Sequence, residues 1–377
     1  MQREKAPEMI EKATDLERLA GQLAGESLLA FDLEADSLHH YREKVCLIQI
    51  ATEKAVFLVD PLAVPDISPL GPLLANPGIR KVFHGADYDI RSLYRDFSLQ
   101  VHNLFDTMIA CQLLGEKEVG LAAALKKRFG VELDKRYQKA DWSRRPLDPG
   151  MIDYAAADTS LLVALYRQLE AELKARGRLS WVEEESELLS EVRAADRDKD
   201  PFYCRFKGSG KMDPRTLAVL EELLRFRDER ARLSDRPPFK VLPNETLRAL
   251  AEKKPRKAQD LNGIPGLPPR SVERFGREIL KATAVGCGIP EDLLPRICRP
   301  LRPERDPVKE ERLKRLKRWR EVKAKALGVD AGILVNNALL ETLAKDVPND
   351  TGGLDLIPAM RRWQKRELGE ELLEVLR

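Results

Sequence analysis

The stretch from position 226 to position 276 recurs in register 93 residues further along the chain. Phe226 is matched by Trp319, Asn244 by Asn337, Leu247 by Leu340, Leu250-Ala251 by Leu343-Ala344 and Pro255 by Pro348. The same offset carries Leu261 onto Leu354, Ile264-Pro265 onto Ile357-Pro358 and Gly276 onto Gly369. A match kept so long without a gap requires both copies to fold alike, and apolar members at helical spacing make each a small helical unit. Solenoids need about three or more repeats to close a core. Two copies therefore read as paired modules, predicted at residues 209–287 and 305–377 and joined by the proline-rich segment Pro290–Pro307.

The first half is built differently. Leu28–Leu33, Val45–Thr52, Ala55–Asp60 and Lys81–His84 are strand candidates, the first three close enough to pair as antiparallel neighbours. From Leu104 to about Ala175 the pattern is mostly helical, clearest in Leu121–Leu125 and Tyr154–Leu173, so the domain is mixed α/β. A charged helix over Glu183–Ala195 runs out into Asp196–Pro201, and Lys207-Gly208-Ser209-Gly210 follows as a linker. The predicted fold is an α/β domain at residues 1–200 followed by two all-α domains. A length of 377 residues with 43% hydrophobic content suits such a division.

Composition narrows the chemistry. No apolar run approaches the roughly eighteen residues of a membrane span, and the charged start is unlike a signal peptide, so a cytoplasmic protein without a membrane partner is expected. Five scattered cysteines, never spaced Cys-x-x-Cys, argue against a disulfide framework or a zinc site. With four histidines, any metal is held mainly by oxygen. Residues 1–200 carry 27 Lys+Arg against 35 Asp+Glu, whereas residues 201–377 carry 38 against 27. The basic half is the more obvious nucleic-acid footprint, although such a bias also serves solubility.

Carboxylates at structured spacings stand out in the acidic half. In the strand-like Leu28–Glu34, a period of two puts Asp32 and Glu34 on one face and Leu33 on the other. In the alanine-rich run after Met151, i to i+4 spacing stacks Tyr154 and Asp158 on one helix face. Between them, Lys81–Ile90 reads strand, turn and helix start, with both Asp87 and Asp89 as candidates. Converging carboxylates repel unless cations neutralise them, and all-oxygen ligation favours Mg²⁺ or Mn²⁺. Two such ions about 3.5–4 Å apart bind the attacking and leaving oxygens of a phosphoryl displacement. Tyr154, with an ordinary pKa of about 10, would orient the water better than deprotonate it. Taken singly, Tyr154 reads as a packing aromatic and Asp158 as a solvated acid.

The segments Phe31-Asp32-Leu33-Glu34, His84-x₄-Asp89-x₃-Leu93 and Tyr154-x₃-Asp158 resemble the three motifs of the tyrosine-bearing DEDD exonucleases. Leu133–Leu147, including Tyr137, Trp142 and Arg144-Arg145, is similar to the ribonuclease D family, and both repeats resemble HRDC modules, the second with Asn336 in place of Pro243. The resemblance implies an RNase H-like exonuclease domain with Asp32, Glu34, Asp89 and Asp158 as ligands of two Mg²⁺ or Mn²⁺ ions and Tyr154 beside the water. It selects Asp89 over Asp87 and leaves Asp36 a bystander. It further implies 3′→5′ trimming of RNA ends, tRNA precursors among them, by a monomer. A DNA 3′→5′ exonuclease and a non-catalytic nucleic-acid adaptor are the alternatives. Met151 stands where the family often has glutamine.

Other residues are weighed against structural roles. His84 is expected to shape the turn by a local hydrogen bond, and Asp106 to cap the helix after it. Arg144 and Arg145 can grip a phosphate by forked bonds or pair with an acid. Lys314, Arg315, Lys317, Arg318 and Arg320 form the densest basic run, with Leu316 and Trp319 as the buried side of that helix. Lys253 and Lys254 open a second basic patch.

Overall fold

The structure, a computed structural model, describes residues 6–193, 200–295 and 306–377, which fall into two compact units. One holds residues 6–35, 45–193 and 306–377, and the other holds 36–44 and 200–295. The links expected at Asp196–Pro201 and Pro290–Pro307 lie largely outside the described residues.

The first unit is built on a six-stranded sheet of order β1-β4-β3-β2-β5-β6. Its strands are β1 (Glu8–Ile10), β2 (Leu28–Ala35), β3 (Val45–Ala51), β4 (Val56–Val59), β5 (Arg80–Phe83) and β6 (Leu104–Asp106). β2, β3 and β4 form the expected antiparallel set, while β5 joins β2 in parallel and β6 joins β5 in parallel. β3 is buried along its whole length, as a central strand covered on both faces must be. β1 and β6 are three-residue strands that the sequence reading passes over, since so short a run carries no period. The sheet is packed on both sides, with Phe31 stacked on Phe83 at 5.5 Å on one face and Phe105 edge-on to Tyr166 at 4.8 Å on the other.

The second helical repeat shares the core of this unit. Val329, Leu334 and Trp363 belong to one apolar cluster with Leu113, Trp181 and Val182 of the α/β domain. The indoles of Trp181 and Trp363 stack at 4.3 Å with their planes 15° apart. Polar bonds rim this contact: Trp363 donates from its indole to Glu185 at 3.0 Å and from its backbone to Glu184 at 2.9 Å, and Arg178 donates to the Leu327 carbonyl at 2.5 Å.

The repeat register survives in three dimensions. Helices Pro214–Leu233, Pro238–Val241, Asn244–Lys253 and Pro269–Gly288 are answered by Pro307–Leu327, Ala331–Leu334, Asn337–Asp346 and Arg362–Leu376. Equivalent side chains make equivalent bonds. Asp213 and Asp306 each cap their long first helix. Arg227 donates to the Leu242 carbonyl and Asn244, and Arg320 to the Val335 carbonyl and Asn337. Arg320, counted by sequence in the basic run, is therefore a buried structural cation. Asn336 uses its side chain to cap the third helix through Leu339 N–H, which Pro243 does not do.

Candidate metal centre and active site

Alternation along β2 turns Leu33 into the core and leaves Asp32 and Glu34 half-buried on the opposite side. Asp158 reaches them from the helix Pro149–Ser160. Asp148 caps that helix by accepting from Gly150 N–H at 2.8 Å, and Pro149 pre-sets its first turn. Gly150 is needed there, since a Cβ would collide with the Tyr137 hydroxyl. One carboxylate oxygen from each of Asp32, Glu34 and Asp158 lies within 4.8 Å of the others, the one group of this kind among the described residues. Asp89 is buried in the first turn of the helix Asp87–Phe97 and adds its charge to the same set.

The turn that delivers Asp89 is held by Asp106. Its carboxylate accepts from Gly85 N–H at 3.0 Å and Ala86 N–H at 2.8 Å while also capping the next helix through Met108 and Ile109. The cap was readable in sequence, whereas the second grip, across 20 residues of chain, was not. His84 makes a structural hydrogen bond as expected, but to a partner 23 residues along the chain rather than a local one. The Thr107 hydroxyl donates to the Phe83 carbonyl, so His84 Nδ1–H donates to the Thr107 oxygen at 2.8 Å. Asp87 is exposed and paired with Arg91 at 2.8 Å, and Asp36 is bound to the Lys44 backbone, so neither joins the acidic set.

Crowding shows in the proton affinities. Burial, then the charge of Asp158, pushes Asp32 up to about 7, and burial with the charges of Asp32, Asp158 and Asp89 pushes Glu34 up to about 10. Burial lifts Asp158 to about 6 and raises Asp89 well above the ordinary range, with Asp32 adding to the latter. Four acids that hold protons so readily are mutually uncompensated, and their oxygen-only donor set fits hard divalent cations. The Tyr154 hydroxyl is raised by burial and by the charges of Asp158 and Glu34, so it stays protonated across the physiological range. Its ring is braced by Trp142 at 6.0 Å and Tyr137 at 6.1 Å, two residues of the Leu133–Leu147 segment.

The basic residues divide. Arg145 takes the second of its two expected roles, pairing with an acid rather than gripping phosphate: its guanidinium forks onto Asp60 at 2.5 and 2.8 Å and donates to the Cys46 and Trp142 carbonyls. Burial alone would raise Asp60, but this fork outweighs it and holds the acid below its usual range. Arg144 bonds Asp141 at 3.2 Å and stays 80% exposed. Lys254 donates to the Thr216 hydroxyl, and Arg315 to the Leu376 carbonyl at 3.4 Å. Lys253, Lys317 and Arg318 are exposed, and exposed Lys314 pairs with Glu311 at 3.4 Å.

Residues 7–174 match the model of a 3′–5′ exonuclease family, and residues 216–283 and 309–376 each match the HRDC domain. The ribonuclease D of Pseudomonas paraeruginosa is 31% identical over 353 residues, covering 92% of both chains. Among solved structures, Escherichia coli RNase D, described as an exoribonuclease involved in structured RNA processing, superposes with a TM-score of 0.72 at 25% identity over 99% of each chain. The catalytic core of RRP6 from Trypanosoma brucei does so with a TM-score of 0.67 at 33% identity, over 77% of this chain and 83% of that one. The chain belongs to the ribonuclease D family of 3′→5′ exoribonucleases.

Proposed function

We propose that this chain trims nucleotides one at a time from the 3′ ends of structured RNAs, tRNA precursors among them, at Asp32, Glu34, Asp89, Asp158 and Tyr154. The observation that carries this reading is the convergence of three half-buried or buried carboxylates, with Asp89 beside them and Tyr154 on the face of Asp158. Asp32, Glu34, Asp89 and Asp158 would hold two divalent cations, Mg²⁺ or Mn²⁺, which would supply neutralisation of developing charge and a water made nucleophilic at neutral pH. The carboxylates fix the polar geometry without supplying a general base of their own. Tyr154 orients the attacking water by hydrogen bonding through its hydroxyl, and Trp142 and Tyr137 keep its ring from swinging away.

The working division is an exonuclease domain at residues 1–200 with HRDC domains at 209–287 and 305–377, acting as a monomer in the cytoplasm. Lys253, Lys317 and Arg318 add phosphate affinity from exposed positions, with Arg144, Lys314, Lys254 and Arg315 as weaker contributors because each already has a protein partner. No helix among the described residues is long and apolar enough to cross a membrane. The test is degradation of matched RNA and DNA, single-stranded and stem-tailed, with Mg²⁺, with Mn²⁺ and with EDTA. Cation-dependent shortening of the stem-tailed RNA from its 3′ end is expected; faster loss of the DNA would overturn the RNA assignment.

A further inference from the structure

The two repeats share one architecture but not one surface. In the second repeat, the face formed by the end of the first helix, the short second helix and the start of the last helix carries Val329 and Trp363, in the core shared with the exonuclease domain, and Leu327 and Ile333, partly buried against it. The same face of the first repeat, 93 positions earlier, carries Ser234, Arg236, Lys240 and Arg270. There it encloses a cavity of about 330 Å³ whose lining includes Arg230, Arg236, Lys240, Arg270 and Arg274 and no carboxylate. Arg230 pairs with Glu278. Among the described residues, the side chains of Arg236, Lys240 and Arg270 form no ion pair, and Arg274 lies over the Phe275 ring at 4.9 Å.

We infer that this cavity is a binding site for the phosphodiester backbone of the RNA substrate, an inference that rests on the exoribonuclease reading above. Charged residues spread along a helix are ordinarily a solvated face, but these five come from three helices and the loop between the first two, and converge on a concavity. Cations gathered around one cavity, with Arg236, Lys240 and Arg270 forming no ion pair among the described residues, repel each other and favour an anion. The 20-residue helix Pro269–Gly288 begins at the same place with Arg270 and Ser271 in its first turn, and its N-cap, Pro268, offers no side-chain acceptor. Its positive end therefore adds to the field. Leu233, 62% exposed at the rim, leaves an apolar surface beside the charges, as a groove receiving sugar and base as well as phosphate would have. At the same face of the second repeat the exonuclease domain packs instead, with Trp181 stacked on Trp363.

The test uses the full chain with Arg236→Gln, Arg270→Gln and Arg274→Gln combined, positions exposed enough to leave folding intact. Binding of a fluorescein-labelled RNA hairpin with a single-stranded 3′ tail is followed by anisotropy in EDTA over a range of salt. Affinity is expected to fall at least about tenfold, and the slope of log K against log salt by about 2, from three lost phosphate neutralisations. The corresponding triple Arg→Lys chain should keep the slope. Unchanged affinity and slope in the glutamine variant, or equal loss of slope in the lysine variant, would overturn the site. Hydrolysis of the same RNA by the wild-type chain with Mg²⁺ is measured alongside. Its failure would strike the exoribonuclease reading, whereas normal hydrolysis with unaltered variant binding would strike only the pocket.

Discussion

The first and second repeats are the same scaffold finished in two ways. Both use an aspartate cap, an arginine clasped to a carbonyl and an asparagine, and a leucine core at matched positions. They part at one face, where Arg236, Lys240 and Arg270 stand in the first and Val329, Ile333 and Trp363 in the second. Core and clasp determine that the module folds, whereas that face determines what it meets. In the second repeat it meets the exonuclease domain and merges with its core.

The largest effect that would break this comparison is at Trp363. Trp363→Ala removes a 1%-exposed indole from the shared core and is expected to cost about 3–5 kcal/mol in the denaturation of the first unit. Arg270→Ala, at the equivalent position, should stay within about 0.5 kcal/mol. Comparable losses at both sites would mean that the two faces are not used differently.

A second difference is linked to protons and cations. The second repeat shares a unit with the acidic cluster, and the first does not. Carboxyls raised to about 6 and 7 at Asp158 and Asp32 bind more protons folded than unfolded. Without divalent cations, the first unit should therefore lose stability as pH rises from about 4 through 7. Mg²⁺ or Mn²⁺ should restore it, more at pH 8 than at pH 5. Hydrogen exchange would show cation-dependent protection in the second repeat and none in the first; equal protection in both would remove the distinction.

The smallest expected effect tests the likeness. Asp213→Ala and Asp306→Ala should each cost about 1 kcal/mol, because each removes a helix cap from the same position of the module. A loss confined to one of them would show that the shared scaffold is not energetically shared. Urea denaturation of each full-length variant measures it.

What could be read before the structure followed from local periodicity. Asp32 and Glu34 share a strand face and Tyr154 and Asp158 a helix face because backbone geometry dictates both spacings. The repeat likewise appeared in register from its helical apolar pattern. Spacing left Asp89 and Asp87 undecided, and in the structure burial separates them, since one is inside the first turn and the other is exposed and paired. Residues meeting across long stretches of chain were beyond reach. Pairing with an acid was one of two readings for Arg145, but nothing near it in sequence points to Asp60, 85 residues away. The cavity of the first repeat was missed for the same reason. Its cations lie singly at 236, 240, 270 and 274, while the contiguous runs at 253–257 and 314–320 are conspicuous, and the latter includes the buried Arg320.

The central claim is that RNA is cut at the convergent acids, and Asp89→Asn tests it most directly. The substitution keeps the shape of a buried side chain and removes its charge, so the far-UV spectrum should be unchanged. Hydrolysis of a 3′-tailed RNA in Mg²⁺ or Mn²⁺ should fall by about a thousandfold or more, while Tyr154→Phe slows it less. Turnover by a folded Asp89→Asn chain within a few fold of the wild type would contradict the account.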